Sequence, residues 1–169
     1  MRYASIRDLD ISNGEGVGVA LFVQGCSRHC YNCFNQETWD FNGGKEWTKE
    51  VEDNFLKLID RPFIKRISIL GGEPLQQYKD LFHLLYRIRQ LRPIGTKDFT
   101  IWLYTGYKFD DPTLTPTQND IISSCDIVVD GEYIDSLKDF KLKWRGSSNQ
   151  RVIDVVRSFR ENQVVLYCN

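Results

Sequence analysis

The stretch Val17-Gly18-Val19-Ala20-Leu21-Phe22-Val23-Gln24-Gly25-Cys26-Ser27-Arg28-His29-Cys30-Tyr31-Asn32-Cys33-Phe34 holds the two features that decide the architecture. Its first seven residues are a short, β-branched run bounded by glycines, the pattern of a buried strand. Three cysteines follow directly, in the spacing Cys-x3-Cys-x2-Cys. A strand that opens at its carboxyl end into a chemically loaded loop is the arrangement of α/β proteins, whose functional loops gather at that end of the sheet.

The same arrangement recurs outward from this stretch. Ile67 to Leu70 reads as a second strand and runs straight into Gly71-Gly72-Glu73-Pro74. Phe99 to Tyr104 reads as a third, closed by Thr105-Gly106, and Ile127-Val128-Val129 as a fourth, ended by Asp130-Gly131. Between them lie amphipathic helices. Thr48 caps one with Val51, Phe55, Leu58 and Ile59 on a single face, stopped by Arg61-Pro62. A second spans roughly Gln76 to Leu91 and ends before Pro93-Ile94-Gly95. Thr115-Pro116-Thr117-Gln118 has the form of a capping box with Pro at the first helical position, so a short helix is predicted to about Ser124. Beyond Arg145, Val152, Ile153, Val155, Val156 and Phe159 fit either a helix or a strand; the reading taken is a short helix and a last strand at Val164 to Tyr167.

Strands alternating with helices predict a parallel sheet with right-handed crossovers, so that the cysteine loop, Gly71-Gly72-Glu73, Thr105-Gly106 and Asp130-Gly131 share one rim. A closed eight-unit barrel takes about 250 residues. A chain of 169 residues offers four or five strand-helix units. The fold expected is therefore α/β, a partial (incomplete) parallel β/α barrel with an open side, in one domain over 1–169.

With 22 Lys and Arg against 23 Asp and Glu, the chain has no global field to hold nucleic acid. Apolar runs are too short to span a membrane, and Met1 to Asp8 lacks the apolar core of a signal peptide. A cytoplasmic location is the expectation. Five cysteines in such a chain point to metal ligands or small core residues more than to disulfides.

Thiolates favour soft metals and iron-sulfur clusters, and three of them leave one iron of a cubane cluster open to a substrate or cofactor. The alternative on the same residues is a structural zinc site with His29 as fourth ligand, or an electron-transfer module. Gly71 and Gly72 let a main chain approach a ligand closely, and Glu73 adds a carboxylate for an ammonium group. Alone, Gly-Gly-Glu-Pro also makes an ordinary strand-to-helix turn. Asp130 and Thr105 stand at strand ends within reach of a ligand, yet Asp-Gly and Thr-Gly are common turn formers. Arg145, Asn149 and Arg151 suit either a docking or anion site or a solvated loop. Cys125 reads as a small core residue and Cys168 as a thiol near the end of the chain.

Together, the Cys-x3-Cys-x2-Cys loop and Gly71-Gly72-Glu73 resemble the hallmarks of the radical S-adenosylmethionine superfamily. Within it the chain is similar to the glycyl-radical-enzyme activases that serve anaerobic ribonucleoside-triphosphate reductase. Leu21 to Cys26, Asn35 to Gly44, Trp102 to Tyr107, Val129 to Gly131 and Arg145 to Gln150 carry that likeness. Asn32 stands where many members have an aromatic residue, with Tyr31 and Phe34 nearby, and Gly14-Glu15-Gly16-Val17-Gly18 replaces the Gly-Pro-Gly that usually precedes the first strand.

The resemblance implies that Cys26, Cys30 and Cys33 hold a 4Fe-4S cluster whose open iron chelates S-adenosylmethionine. It implies that the backbone from Asn32 through Cys33 to Phe34 faces the adenine, and that Gly72 and Glu73 receive the methionine amine. It further implies reductive cleavage to a 5'-deoxyadenosyl radical, a glycyl radical made on the partner reductase, and reduced flavodoxin or a similar electron donor. A pyruvate formate-lyase type partner or a small-molecule substrate is the alternative.

Overall fold

A computed structural model of the chain describes residues 1–96 and 98–168. Eight strands form one sheet: β1 (Arg2–Asp10), β2 (Gly18–Val23), β3 (Lys45–Glu46), β4 (Arg66–Gly71), β5 (Thr100–Tyr104), β6 (Ile127–Asp130), β7 (Arg151–Asp154) and β8 (Leu166–Cys168). Among the described residues four α-helices accompany them: α1 (Lys49–Ile59), α2 (Tyr78–Leu91), α3 (Pro116–Ser123) and α4 (Val155–Glu161). The strand order is β3-β1-β2-β4-β5-β6-β7-β8.

The expectation of an all-parallel sheet is corrected. β2, β4, β5 and β6 pair in parallel, whereas β1 with β2 and β3, and β7 with β6 and β8, pair antiparallel. The reason lies in the connections. Parallel neighbours need a crossover, and α1, α2 and α3 supply one each. The short turn from β1 to β2 has no room for a crossover and forces reversal. The structure is thus a mixed α/β sheet with a parallel centre and antiparallel flanks.

Helix starts follow the capping chemistry. Thr48 accepts from the Val51 amide at the head of α1, and Thr115 and Gln118 form a reciprocal capping box at α3. The segment that read as helix or strand is both in succession. Arg151–Asp154 pairs as β7, and the Asp154 carboxylate then caps α4 through the Arg157 amide.

Side chains alternate across the sheet with the strand period of two. Val19, Leu21, Val23, Ile67, Ile69, Ile101, Leu103 and Val128 pack against Phe55 and Ile59 of α1, Leu81, Leu84, Leu85 and Ile88 of α2, and Ile121 and Ile122 of α3. Cys125 lies in this core. The opposite face carries Ala20, Phe22, Leu70, Trp102, Ile127, Val129 and Val152. Among the described residues no helix contributes to the apolar clusters on that face, and part of it lines a cavity. No helix of the described residues is long and apolar enough to cross a membrane.

Near the amino ends of the central strands, Arg66 is fully buried and paired with Asp10 at 2.8 Å. It also donates to the Asn13 carbonyl at 2.7 Å and the Asp10 carbonyl at 2.8 Å, and to the Ser68 hydroxyl. The turn between β1 and β2 folds over this guanidinium. Gly14, at φ +133°, sits so close that a Cβ would stand 2.5 Å from Arg66 Cδ and 2.8 Å from Trp102. That contact explains the glycine at this point of the chain.

Candidate functional site

The cysteine loop leaves β2 beside the loop that leaves β4, and backbone contact locks the two together. Gly72 donates its amide to the Val23 carbonyl at 2.9 Å, and the Glu73 amide donates to the Gly25 carbonyl at 2.9 Å. A Cβ on Gly72 would stand 2.4 Å from the Gly25 carbonyl oxygen, so only glycine permits the approach. The buried Gln24 side chain donates to the Glu37 and Asp40 carbonyls at 3.2 and 2.8 Å, which ties the start of the loop to the segment that follows it. Within the loop, His29 (φ +49°) and Asn32 (φ +54°) take left-handed conformations that turn the chain sharply between cysteines.

Cys26, Cys30 and Cys33 all line one cavity of about 580 Å3, together with Gly71, Gly72, Glu73, Thr105, Gly106 and Gly131. The loops expected on a common rim are therefore together. Cys26 is buried, while Cys30 and Cys33 are half-buried. Burial pushes the Cys26 thiol up, with the Glu73 and Cys33 charges adding to the effect. Burial and the Glu132 carboxylate, whose oxygen lies 3.6 Å from the sulfur, push Cys30 up to about 11. Metal coordination favours the thiolate form of both.

An all-thiolate set suits an iron-sulfur cluster, and zinc as well. Among the described residues no three His, Cys, Asp or Glu side chains converge as a single-ion site would require. His29 stacks on Trp39 with centroids 4.5 Å apart.

Glu73 is buried and fully engaged. Its Oε1 accepts from the Thr105 hydroxyl at 2.7 Å and the Leu75 amide at 3.0 Å, and its Oε2 accepts from the Gly106 amide at 2.8 Å. Arg28 Nε lies 3.5 Å from the same Oε2. Burial pushes the Glu73 carboxyl up, opposed by these donors and by Arg28. A carboxylate offers about four acceptor positions, and here nearly all are taken by the chain itself. Glu73 is thus a clamp between the β4 and β5 loops.

Arg28, between the first two cysteines, joins more loops to this clamp. Its guanidinium lies over the Tyr107 ring, 4.2 Å from the centroid, and 3.8 Å from Glu132. The sequence gives no local signal for this role, since all its partners are distant in the chain.

Other singled-out residues divide. Phe34 lines the cavity, packed at 5.1 Å on Tyr133. Asn32 is absent from the lining, and its side chain donates to Asp135 at 3.0 Å. Thr105 lines the cavity through its bond to Glu73. Asp130 is buried beneath the rim, accepting from the Phe109 amide at 2.7 Å and from Arg151 Nε at 3.0 Å. Both Asp130 and Arg151 are thereby structural. Asn149 donates to the Glu132 carbonyl at 2.8 Å. Arg145 alone of its group lines the cavity, together with Arg7 and Tyr104, which sequence reasoning did not single out.

Residues 12–153 match the model of the 4Fe-4S single cluster domain. The chain is 42% identical over 156 residues to the anaerobic ribonucleoside-triphosphate reductase-activating protein of Escherichia coli, covering 90% of this chain and 97% of that protein. It is 35% identical to the protein of the same name from Vibrio cholerae, over 89% of this chain and 96% of the relative. To that of Enterobacteria phage T4 it is also 35% identical, over 90% and 93%.

Proposed function

The chain belongs to the 4Fe-4S single cluster domain family and, within it, to the anaerobic ribonucleoside-triphosphate reductase-activating proteins, and from that premise we propose that it is a radical S-adenosylmethionine activase. Its cofactors are a 4Fe-4S cluster and S-adenosylmethionine, and its substrate is a glycine of the anaerobic ribonucleoside-triphosphate reductase. One observation carries the reading: the three cysteines and the Gly71-Gly72-Glu73 loop line the same cavity, at the carboxyl ends of adjacent parallel strands. Reduced flavodoxin or a similar donor supplies the electron.

Cys26, Cys30 and Cys33, which line the cavity, would hold the cluster through three of its irons, leaving one without a protein ligand. When bound, the reduced cluster would supply one electron to S-adenosylmethionine, and the pair would thereby provide the radical chemistry that removes a hydrogen atom from the glycine. The Gly72 main chain receives the methionine amine. The Glu73 carboxylate contributes its charge at short range and holds that main chain in place through Thr105 and Gly106. Phe34 and the adjoining Cys33 backbone, both on the cavity wall, would flank the adenine, whereas Asn32, outside the lining, would act only through the turn it makes between the cysteines. Cys26, Glu73 and Thr105 are buried, which limits water at their wall of the cavity, part of the protein's usual share of cofactor chemistry. We read the four parallel strands and their helices as a partial barrel, whose open side admits a loop of the reductase.

The test is anaerobic. The cluster is reconstituted and reduced, S-adenosylmethionine is added, 5'-deoxyadenosine is measured, and the reductase is then examined for a glycyl radical doublet by electron paramagnetic resonance. Cofactor cleavage with no radical on the reductase redirects the assignment to a pyruvate formate-lyase type partner or a small molecule. Absence of cleavage refutes the chemistry itself.

A further inference from the structure

Of three buried polar atoms on the cavity wall that make no hydrogen bond among the described residues, Arg28 Nε still lies 3.5 Å from the Glu73 carboxylate, and two have no partner of either kind. The Tyr104 hydroxyl and Arg145 Nε are both buried and make no hydrogen bond among the described residues. Arg145 also takes part in none of the ion pairs among those residues. Buried donors are nearly always satisfied, and a group that is not calls for an explanation such as a ligand.

Their placement is built. Tyr104 ends β5 on the face away from the helices and packs with Ala20, Phe22 and Leu70 on one side and with the Trp102 cluster on the other. Arg145 lies on the connection from β6 to β7. Trp144 before it sets its ring edge-on to Trp102, with centroids 5.0 Å apart. Gly146 after it lies so close to Phe34 that a Cβ would stand 3.0 Å from the ring. The connection therefore runs from the sheet face to the cysteine loop with Arg145 in between. Trp144 holds φ +59°, a left-handed conformation that is costly for a bulky residue and that the surrounding packing maintains.

A guanidinium only donates, and a phenol donates readily. The missing partners are accordingly oxygen acceptors brought by a ligand. A main chain drawn into a cavity exposes carbonyl oxygens that have lost water and need donors. The methionine carboxylate of the cofactor is the other source of such oxygens. It belongs with the amine beside the cysteines and Gly72, whereas Tyr104 and Arg145 occupy the sheet face and the connection that walls the cavity.

Resting on the function proposed above, we infer that Arg145 and Tyr104 form a docking site for main-chain carbonyl groups of the reductase loop that bears the target glycine. They are positioning residues for the protein substrate. They set which carbon of the loop stands nearest the reacting centre without touching the cofactor.

The test compares Tyr104→Phe, Arg145→Gln and Arg145→Lys with the wild type in two assays, after equal cluster content per chain is confirmed. The first is 5'-deoxyadenosine formation without reductase. The second is glycyl radical formation against reductase concentration. The inference predicts cleavage within twofold of the wild type in the first assay for all three. In the second, the half-saturating reductase concentration rises about fivefold for Tyr104→Phe and about 10- to 30-fold for Arg145→Gln, the range expected for one neutral and one charged hydrogen bond. Arg145→Lys recovers part of the loss. A parallel fall in cleavage without reductase overturns the inference and assigns the groups to the methionine carboxylate. Unchanged behaviour in both assays also overturns it. A wild type that fails to cleave the cofactor sinks the function proposed above and this inference with it, and is told apart because it is seen before any variant is made.

Discussion

Replacing Glu73 by Gln tests whether the clamp between the β4 and β5 loops has the energetic weight its geometry implies. The carboxylate accepts from Thr105 and Leu75 on one oxygen and from Gly106 on the other, with Arg28 beside the latter. An amide has a single oxygen. If that oxygen keeps Thr105 and Leu75, the amide nitrogen faces the Gly106 N–H and the Arg28 guanidinium, donor against donor. One charge-assisted hydrogen bond is lost and a buried amide is left unpaired, each worth roughly 1–3 kcal/mol. A neutral side chain recovers part of this, because burial of the carboxylate is itself unfavourable and pushes Glu73 up. The expected net loss is about 2 kcal/mol, which lowers Tm by roughly 4–8 °C in a chain of this size. Urea unfolding of the cluster-free, reduced protein followed by tryptophan fluorescence reads it out, with the m-value unchanged. A loss below about 0.5 kcal/mol, the range of an ordinary surface substitution, would show that the clamp carries no such weight.

Three further outcomes follow from the same structure. Asp10→Ala leaves the fully buried Arg66 guanidinium without its carboxylate and is expected to cost about 3–5 kcal/mol, read by urea denaturation; a loss under 1 kcal/mol contradicts the pairing. Burial pushes the Asp10 carboxyl up, but the hydrogen bonds and charge of Arg66, with Asn13, outweigh it and hold the group below its ordinary value. A depressed carboxyl stabilises the fold above its unfolded pKa of about 3.9 and loses that contribution as pH falls through the folded value. Wild-type stability should therefore drop below about pH 4 more steeply than that of Asp10→Asn, and equal slopes would refute the linkage. Gly72→Ala places a methyl group against the Gly25 carbonyl and should cost about 1–3 kcal/mol while loosening the cysteine loop; unaltered stability and cluster content would show that the two loops are free to part.

The parts of the fold written in short local signals were legible. The run before Cys26, the Thr48 cap and the Thr115 to Gln118 capping box act over three or four residues and appear as predicted. Of the antiparallel flanks only the last strand, expected at Val164 to Tyr167 and found as β8, was legible, and its direction was not. β1 alternates charged and apolar residues such as Arg7 and Leu9 that remain exposed, and it is held by pairing with β2 and β3 rather than by its own pattern. β3 has only two residues. Asp154 offered a usable signal, since a capping residue inside an apolar run marks the point where β7 gives way to α4.

The site divides in the same way. The cysteine loop and Gly71-Gly72 lie where strand ends put them. Asp130 read as a strand-end residue within reach of a ligand or as an ordinary turn former, but Arg151 engages it from across the 131–150 connection. The roles of Arg28, Tyr104 and Arg145 arise only when loops distant in the chain meet, so no spacing rule finds them.

The central claim is that Cys26, Cys30 and Cys33 hold a cluster with an iron open to S-adenosylmethionine. The most direct measurement is the electron paramagnetic resonance spectrum of the reduced, reconstituted protein before and after the cofactor is added. The account predicts a 4Fe-4S signal that changes on addition and is missing from Cys30→Ala. A signal indifferent to S-adenosylmethionine, or one that survives loss of Cys30, would contradict it.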